Sequence, residues 1–567
     1  RMSAGSTQPG KMFSTFFVQK ITKIRESIHN APATTGALPL PDVPVPLTAF
    51  QEITSDDLRK LIMEAPNKQC LLDPLPTDIL KQSLNALLPI ILVIVNKSLH
   101  EGHFPSLFKE AVINPLLKKS NSDPENCANY RPVSNLNFVS KILEKVVARQ
   151  LRQHLQANGL EEKMQSAYRK NHSVETAILK VHDDITRALA DRKIVALVLL
   201  DMSAAFDTVN HSKLCDILQR MGVRDLALKW LISYLKNRQQ SVLVRKERSV
   251  CQEITCGVPQ GSVLGPLLFT LYTSGLGHVI RNCLCKYHLY ADDTQIYVAT
   301  TPEELPKAIS DLEVCVMNIR EWLNHHCLKL NETKTEFILF STKQMAHHLH
   351  GIKLEIDGHQ ILPTDGARNL GVTMDSNACM ENQINKICRA AYGQLKAINR
   401  ISHCLDRRSL EIVIHAFVTS RVDFCNSVLL GVKQSLLAKI QRVQNAAARV
   451  LTKTPRQAHI TPVLRALHWL PVAARIEYKV LVLVFKCLDK TAPAYLCDLI
   501  KPYDPSRTLR DRLRLTVPEC ALAQAGRCSF SIAGPTLWNS LPMHVRAIND
   551  FTPFKRALKT HLFTKHQ

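Results

Sequence analysis

Two adjacent carboxylates, Asp292 and Asp293, lie within KYHLYADDTQIYVAT, residues 286–300. Their flanks read as two short strands. Tyr287, Leu289 and Ala291 alternate with His288 and Tyr290, and Gln295, Ile296, Tyr297 and Val298 are good strand formers. Asp tolerates tight-turn geometry, so the pair is predicted at the tip of a hairpin. Carboxylates held that close repel each other, and a cation between them removes the cost. A solvated Asp-Asp turn is the rival reading of this stretch alone.

A further carboxylate lies upstream. Residues 194–200, IVALVLL, form an unbroken apolar run of strand length, suited to burial on both faces. Asp201 follows at once, placed by a rigid strand as a metal ligand should be. Asp201 and Asp292 on neighbouring strands could share two Mg²⁺ ions, with Mn²⁺ as the alternative metal. Two such ions clamp the attacking and leaving oxygens of a phosphoryl transfer. The other reading of Asp201 is a helix N-cap, because Ser203 to Phe206 could open a helix. Asp207 fits that structural role better.

The 567 residues exceed one ordinary domain, and 46% apolar content suffices for large cores. The net charge of +23 favours a polyanionic partner. It is skewed: residues 381–567 hold 29 Lys and Arg against 11 Asp and Glu, a net of +18. The 17 cysteines show no zinc-type spacing and read as free thiols of a reducing compartment. The longest apolar run, 86–95, is short for a bilayer and contains Pro89, so no membrane partner is expected. No secretory signal is seen.

Several blocks share an order and spacing. NYRPVSNL (129–136), LLDMSAAFDTVNH (199–211), GVPQGSVLGPLLF (257–269), YADDTQIY (290–297), LKLNETKTEF (328–337) and LGVTMDS (370–376) resemble the reverse transcriptase of non-LTR, LINE-type retrotransposons, nearest the L2 and CR1-like lineages. The resemblance covers nearly the whole chain. It implies an α+β right-hand polymerase: fingers, a palm with an antiparallel sheet, a thumb, then a mainly helical basic C-terminal extension. The expected boundaries are an N-terminal extension at 1–94, fingers and palm at 95–376, a thumb-like region at 377–500 and a basic region at 501–567. The implied reaction is attack of a primer 3′-OH on the α-phosphate of a dNTP. An element RNA would be the template, a nicked chromosomal DNA the primer and target, and the nucleus the place of reaction. The sequence leaves the oligomeric state open.

By the same resemblance, Asp201 and Asp292 ligate both metals and Asp293 assists. Arg169, in QSAYRKNHSVETA (165–177), holds the triphosphate. The family more often has Gly-Phe-Arg where this chain has Ala167-Tyr168-Arg169, which puts the exact placement of Arg169 in question. Phe206, five residues after Asp201, is the steric gate against a ribose 2′-OH, with core packing as the rival role. Gln260 and Gly261 pack on the nascent base pair. LKLNETKTEF looks like a hairpin, and its Lys334 faces the pyrophosphate leaving group, with a plain turn lysine as the rival. Arg131 contacts template or phosphate, with a structural salt bridge as the rival. LGVTMDS resembles the primer grip.

The flanks have their own patterns. Residues 11–30 read as an amphipathic helix, followed by a Pro-rich linker at 31–48. In 141–156, Lys141, Lys145, Arg149 and Arg152 share a helix face apart from the apolar stripe. In 436–450 an apolar stripe sits beside Lys439, Arg442 and Arg449, as in a thumb helix facing a duplex. The segment 525–565 differs in style enough to suggest another small domain. Two rivals remain: a group II intron-type or telomerase-type polymerase, which NYRPVSNL and WNSLP argue against, and an inactive remnant kept as an RNA-binding protein.

Overall fold

The computed structural model describes residues 9–28, 43–68, 70–119, 121–503, 513–522 and 526–566. Helices and strands are mixed along the chain, as the α+β expectation requires. Two compact units form, and they cut across the expected boundaries. The first comprises Arg1–Tyr168, Asp201–Asn282 and Val316–Glu332, the second Arg169–Leu200, Cys283–Cys315 and Thr333–Gln567.

In the first unit a five-stranded sheet runs in the order Tyr130–Asn135, Glu110–Leu117, Arg238–Val244, Glu247–Arg248, with Gln252–Ile254 also on Arg238–Val244. AVINPLLKK, residues 111–119, supplies most of the second of these. The N-terminal amphipathic helix is observed as Pro9–Ile28. It is no loose extension: Phe13 and Phe17 pack with Ile113, Cys127 and Val242 in one cluster. Burying each ring contributes roughly 1.5–3 kcal/mol, which is enough to hold a helix carrying four basic residues against the sheet. Most of the Pro-rich linker lies outside the described residues.

The Leu84–Glu101 helix differs from the sequence reading. Pro89 lies in its second turn without ending it, at the loss of one backbone bond to Asn85 O. Its 18 residues are long and apolar enough to cross a membrane by length and composition. Leu84, Leu88, Ile91, Val95 and Leu99 are buried on one face, and Trp230 Nε1 donates to Ser98 Oγ at 2.9 Å. That face therefore belongs to a protein core.

In the second unit a four-stranded antiparallel sheet runs Glu336–Phe340, Ile194–Leu200, Asp293–Thr300, Lys286–Tyr290. Ile194–Leu200 is central and buried on both faces except at Leu199, as its unbroken apolar run predicts. Val181, Ile185 and Leu189 of the Val174–Ala190 helix pack on Val195, Leu197, Tyr297, Ile338 and Phe340. A capping box at Ser173 and Thr176 starts that helix. LKLNETKTEF is not the hairpin that was expected. Lys329–Leu330 pairs with Met202–Ser203, whereas Glu336–Phe340 pairs with Ile194–Leu200. LGVTMDS does end a strand pair: Gly366–Asn369 and Val372–Asp375 join through Leu370 and Gly371, both at positive φ.

The C-terminal segment is no separate small domain. Its Phe530–Asn539 and Phe551–Lys565 helices share the second unit, and Phe554 stacks on Phe485 of the Val472–Leu488 helix at 4.4 Å. Ser529 Oγ and the Ser531 N–H donate to Asp183 Oδ1 at 2.6 and 2.8 Å. In the Gln434–Thr452 helix, Leu436, Ile440, Val443 and Ala447 are buried as expected. Two of its three bases are already engaged: Lys439 pairs with Glu381 at 3.3 Å, and Arg449 donates to Ala458 O. Of the three, Arg442 is exposed.

Candidate active site

The acidic hairpin is tighter than expected. Tyr290 pairs with Asp293, so the loop is Ala291–Asp292 alone, and Asp293 opens the second strand. Ala291 has φ +57°, a conformation an L-residue adopts at a cost and which clusters at functional sites. Asp292 is half-buried and Asp293 exposed. The next residue, Thr294, lies opposite Leu200. Leu200 ends the central strand, and Asp201 is its covalent neighbour.

The sheet under the hairpin is fixed by buried polar contacts. Asn369 Nδ2 donates to Gln295 Oε1 at 2.7 Å, tying the LGVTMDS hairpin to the acidic one. Tyr297 Oη donates to Asp184 Oδ2 at 2.6 Å. Burial opposes ionisation of Asp184, but Lys180 and Lys286 outweigh it and hold its pKa below the ordinary value. His288 is buried with its ring edge-on to Tyr495 at 4.9 Å, and burial pushes its pKa down to about 3. It is a neutral core residue. The strand Lys286–Tyr290 is thus covered on both faces rather than on alternate residues.

In the first unit, Asp201 is half-buried and does not cap a helix, because the helix that follows begins at Ala205. Its carbonyl accepts the Asn331 N–H at 2.8 Å, and Asn331 Nδ2 approaches its Oδ2 at 3.4 Å. Phe206 is half-buried. Its ring stacks on Phe269 at 4.3 Å and meets Tyr168 edge-on at 6.4 Å. Asp207 lies in the Ala205–Thr208 turn but is not a cap. Gln260 Nε2 donates to its Oδ1 at 2.8 Å. Burial pushes the Asp207 pKa up to about 6, against the opposing effects of Gln260, Lys20 and Lys118.

The Gln260–Gly261 turn is held against the Tyr130–Asn135 strand. The Ser134 N–H donates to Gln260 O at 2.7 Å. Gly261 has φ +117°, and a Cβ there would lie 2.5 Å from Ser134 O, so both conformation and space require glycine. A cavity bounded by Lys20, Tyr130, Ser134, Asp207, Arg238 and Gln260 lies beside the turn.

The remaining candidates are placed as follows. Arg131 is exposed on the same strand as Ser134. Arg169 is half-buried in a loop. There Tyr168, not Ala167, takes the positive φ of +59°, while Ala167 is buried. Lys334 is exposed on the single turn Glu332–Lys334. The first unit therefore brings together Phe206, Asp207, Gln260 and Gly261, and the second supplies Asp292 and Asp293. Among the described residues, no three His, Cys, Asp or Glu side chains are grouped to hold a metal ion.

Residues 117–374 match the family model of reverse transcriptases, the RNA-dependent DNA polymerases. This segment is similar to the reverse transcriptases of LINE-type elements. The chain is 27% identical over 405 residues to a probable RNA-directed DNA polymerase from transposon BS of Drosophila melanogaster, covering 68% of this chain and 43% of that protein. It is 25% identical over 424 residues to the RNA-directed DNA polymerase from mobile element jockey of the same fly, covering 72% and 45%. A similar likeness, 24% over 415 residues, joins it to the X-element polymerase, covering 72% and 44%. The chain thus spans less than half the length of these curated relatives. The reverse transcriptase domain contains every candidate residue named above.

Two contributors to its site escape a reading of spacing. Asp207 faces Gln260 across 53 residues. Glu144 is wholly buried in the Phe138–Ala157 helix and bonds the backbone at Val263 and Leu264. A carboxylate at a helix position next to Leu143 and close to Val146 and Val147 was the only local signal.

Proposed function

We propose that the chain is a template-directed DNA polymerase that copies the RNA of a retrotransposon, nearest the L2 and CR1-like lineages, from a DNA primer 3′-OH. The observation that carries this reading is the register Leu200↔Thr294. It brings the end of the central strand beside the start of the strand after Asp292, so Asp201 and Asp292 follow and precede neighbouring strand positions. Asp293 is the adjacent assistant.

The donors suit the proposed metal. All three are carboxylates, the hard oxygen ligands that Mg²⁺ or Mn²⁺ prefers, and Mg²⁺ commonly takes one or two carboxylates plus substrate phosphates. Asp201, Asp292 and Asp293 would hold two such ions, whose chemistry is to neutralise charge on the transferring phosphoryl group. The other residues bind and orient. Arg169 would grip the triphosphate with its planar donors. Phe206, braced on Phe269, would lie under the sugar and reject a 2′-OH. Gln260 and Gly261 would bear on the nascent pair, Arg131 on the template, and Lys334 on the departing pyrophosphate. The sheet with the acidic hairpin serves as palm, the sheet around Glu110–Leu117 as fingers and the helices after 377 as thumb.

Priming at a nicked chromosomal target is part of this proposal, with element RNA, target DNA and dNTPs as partners. The test is primer extension by purified protein on RNA and DNA templates. Absence of extension by a folded protein with Mg²⁺ or Mn²⁺ would reject the reading.

A further inference from the structure

Resting on the polymerase reading, we infer that Glu144 is a positioning residue for nucleotide binding: its buried carboxylate caps the Leu264–Tyr272 helix and so fixes the turn that presents Gln260. A helix start leaves N–H groups without partners and carries a partial positive charge. Locally the Ser262 hydroxyl answers the Gly265 N–H, but Val263, the cap position, has no side chain that can answer those of Val263 and Leu264. Glu144 does so from 119 and 120 residues away. Its Oε2 accepts the N–H of Val263 at 2.7 Å and of Leu264 at 2.9 Å, and Tyr234 Oη lies 3.3 Å from the same oxygen. The other oxygen faces Ser140 Oγ at 3.4 Å.

An uncompensated buried carboxylate is costly, so this arrangement must be complete to persist. The compensation is present. Arg238, 1% exposed, lies over the Tyr234 ring at 4.8 Å and donates to Tyr234 O at 3.0 Å. Burial raises the Glu144 pKa, and the Leu264 N–H, Arg238, the Val263 N–H and Tyr234 oppose that rise.

The Leu264–Tyr272 helix would stay helical without Glu144, because Leu264, Leu267, Leu268, Phe269, Leu271 and Tyr272 bury it regardless. What Glu144 decides is where the helix begins, and hence how the preceding turn leaves it. The other ties of that turn are the Ser134 N–H to Gln260 O and the Ser262 hydroxyl, which donates to Pro259 O and accepts the Gly265 N–H. Phe269, one helical turn further on, carries the Phe206 ring. One buried cap therefore sets two groups that bear on the nucleotide, the Gln260 side chain and the support of Phe206. Glu144 touches neither substrate nor metal, so its loss should act on KM more than on kcat.

Single-nucleotide addition on a primed RNA template separates this from a purely structural role. Wild type, Glu144→Gln and Glu144→Ala are compared, with the active fraction titrated for each. Glu144→Ala should raise KM for dNTP about tenfold or more while kcat changes less than about threefold, and Glu144→Gln should recover most of the loss. In parallel, amide exchange over residues 259–265 should quicken by about tenfold or more in Glu144→Ala, with residues 194–200 unchanged. A wild-type KM with correctly folded Glu144→Ala, or unchanged exchange at Val263 and Leu264, overturns the inference. If Glu144→Ala does not fold, Glu144→Gln carries the test. A KM raised a few-fold, with faster exchange at those two amides, supports the inference, and unchanged values overturn it. If the wild type adds no nucleotide, the polymerase reading fails, and the exchange experiment still decides whether Glu144 holds the turn.

Discussion

The side-chain amide of Gln260 donates a 2.8 Å hydrogen bond to Asp207 Oδ1, joining the residue after Phe206 to the turn proposed to bear on the nascent pair. Burial raises the Asp207 carboxyl from 3.8 to about 6. Between those values the folded chain holds a proton that the unfolded chain has released. Stability from this group is therefore fully present below pH 3.8 and is lost as pH rises through about 6. Asn does not titrate. Between pH 7 and pH 4 the stability of wild type relative to Asp207→Asn should rise by roughly 1–3 kcal/mol. Denaturant unfolding of both proteins across that range measures it, and a constant difference would count against the raised carboxyl.

Asp292 is the half-buried tip of a two-residue loop whose first residue is held at positive φ. Asp292→Asn keeps the shape and removes the charge. Nucleotide addition should fall by about 10³-fold or more, whereas RNA affinity should change little, because phosphate contacts elsewhere supply it. Near-normal primer extension by the variant would refute its assignment as a metal ligand.

Phe206 is stacked on one side and half-exposed, the disposition of a ring that can meet a sugar. Phe206→Val should admit rNTPs more readily, lowering the ratio of kcat/KM for dNTP over rNTP by about tenfold or more. If that ratio stays constant, the ring serves only to pack on Phe269.

The C-terminal charge needs a different test from simple truncation. Phe530, Trp538 and Phe554 are core residues, so removing 526–566 should lower Tm and soluble yield whatever the RNA does. Lys555 and Lys559 lie over the rings of Phe551 and Phe563, and Arg556 is exposed. Changing these three to Gln should leave Tm within a few degrees. If they meet RNA, the slope of log affinity against log salt should become shallower by roughly 0.7–0.9 for each phosphate no longer neutralised. An unchanged slope would make them ordinary solvated bases.

Much of this site was legible because its signals are local. The seven-residue apolar run before Asp201 has the length and composition of a buried strand, and Tyr-Ala-Asp-Asp between strand formers reads as a turn. What was hidden depends on contacts across the sequence. The partner of Asp207 is 53 residues away, so its place in a helical turn suggested a cap instead. Glu144 reads as one more polar helix residue until the Leu264 helix meets it. LKLNETKTEF looked like a hairpin because two strand-like halves flank Asn-Glu-Thr-Lys, but each half finds a better partner elsewhere. The C-terminal helices looked independent by composition, and their hydroxyl and amide at Ser529 and Ser531 complete a carboxylate laid down much earlier.

That hydroxyl reaches back 346 residues, and the distance has a consequence for the order of synthesis. Asp183 leaves the ribosome long before Ser529. At about 5–20 residues per second, roughly 17–70 seconds separate the two. Throughout that interval the helix beneath the acidic hairpin carries a carboxylate that cannot be buried with its native donors. The sheet that presents Asp292 must then wait for Ser529 and Ser531 to emerge, or exist first in a looser form open to chaperones and proteases. A copy interrupted just before the codon for Ser529 would still encode every carboxylate proposed for catalysis, yet would deliver them on a sheet whose supporting helix never gains its Ser529 and Ser531 donors.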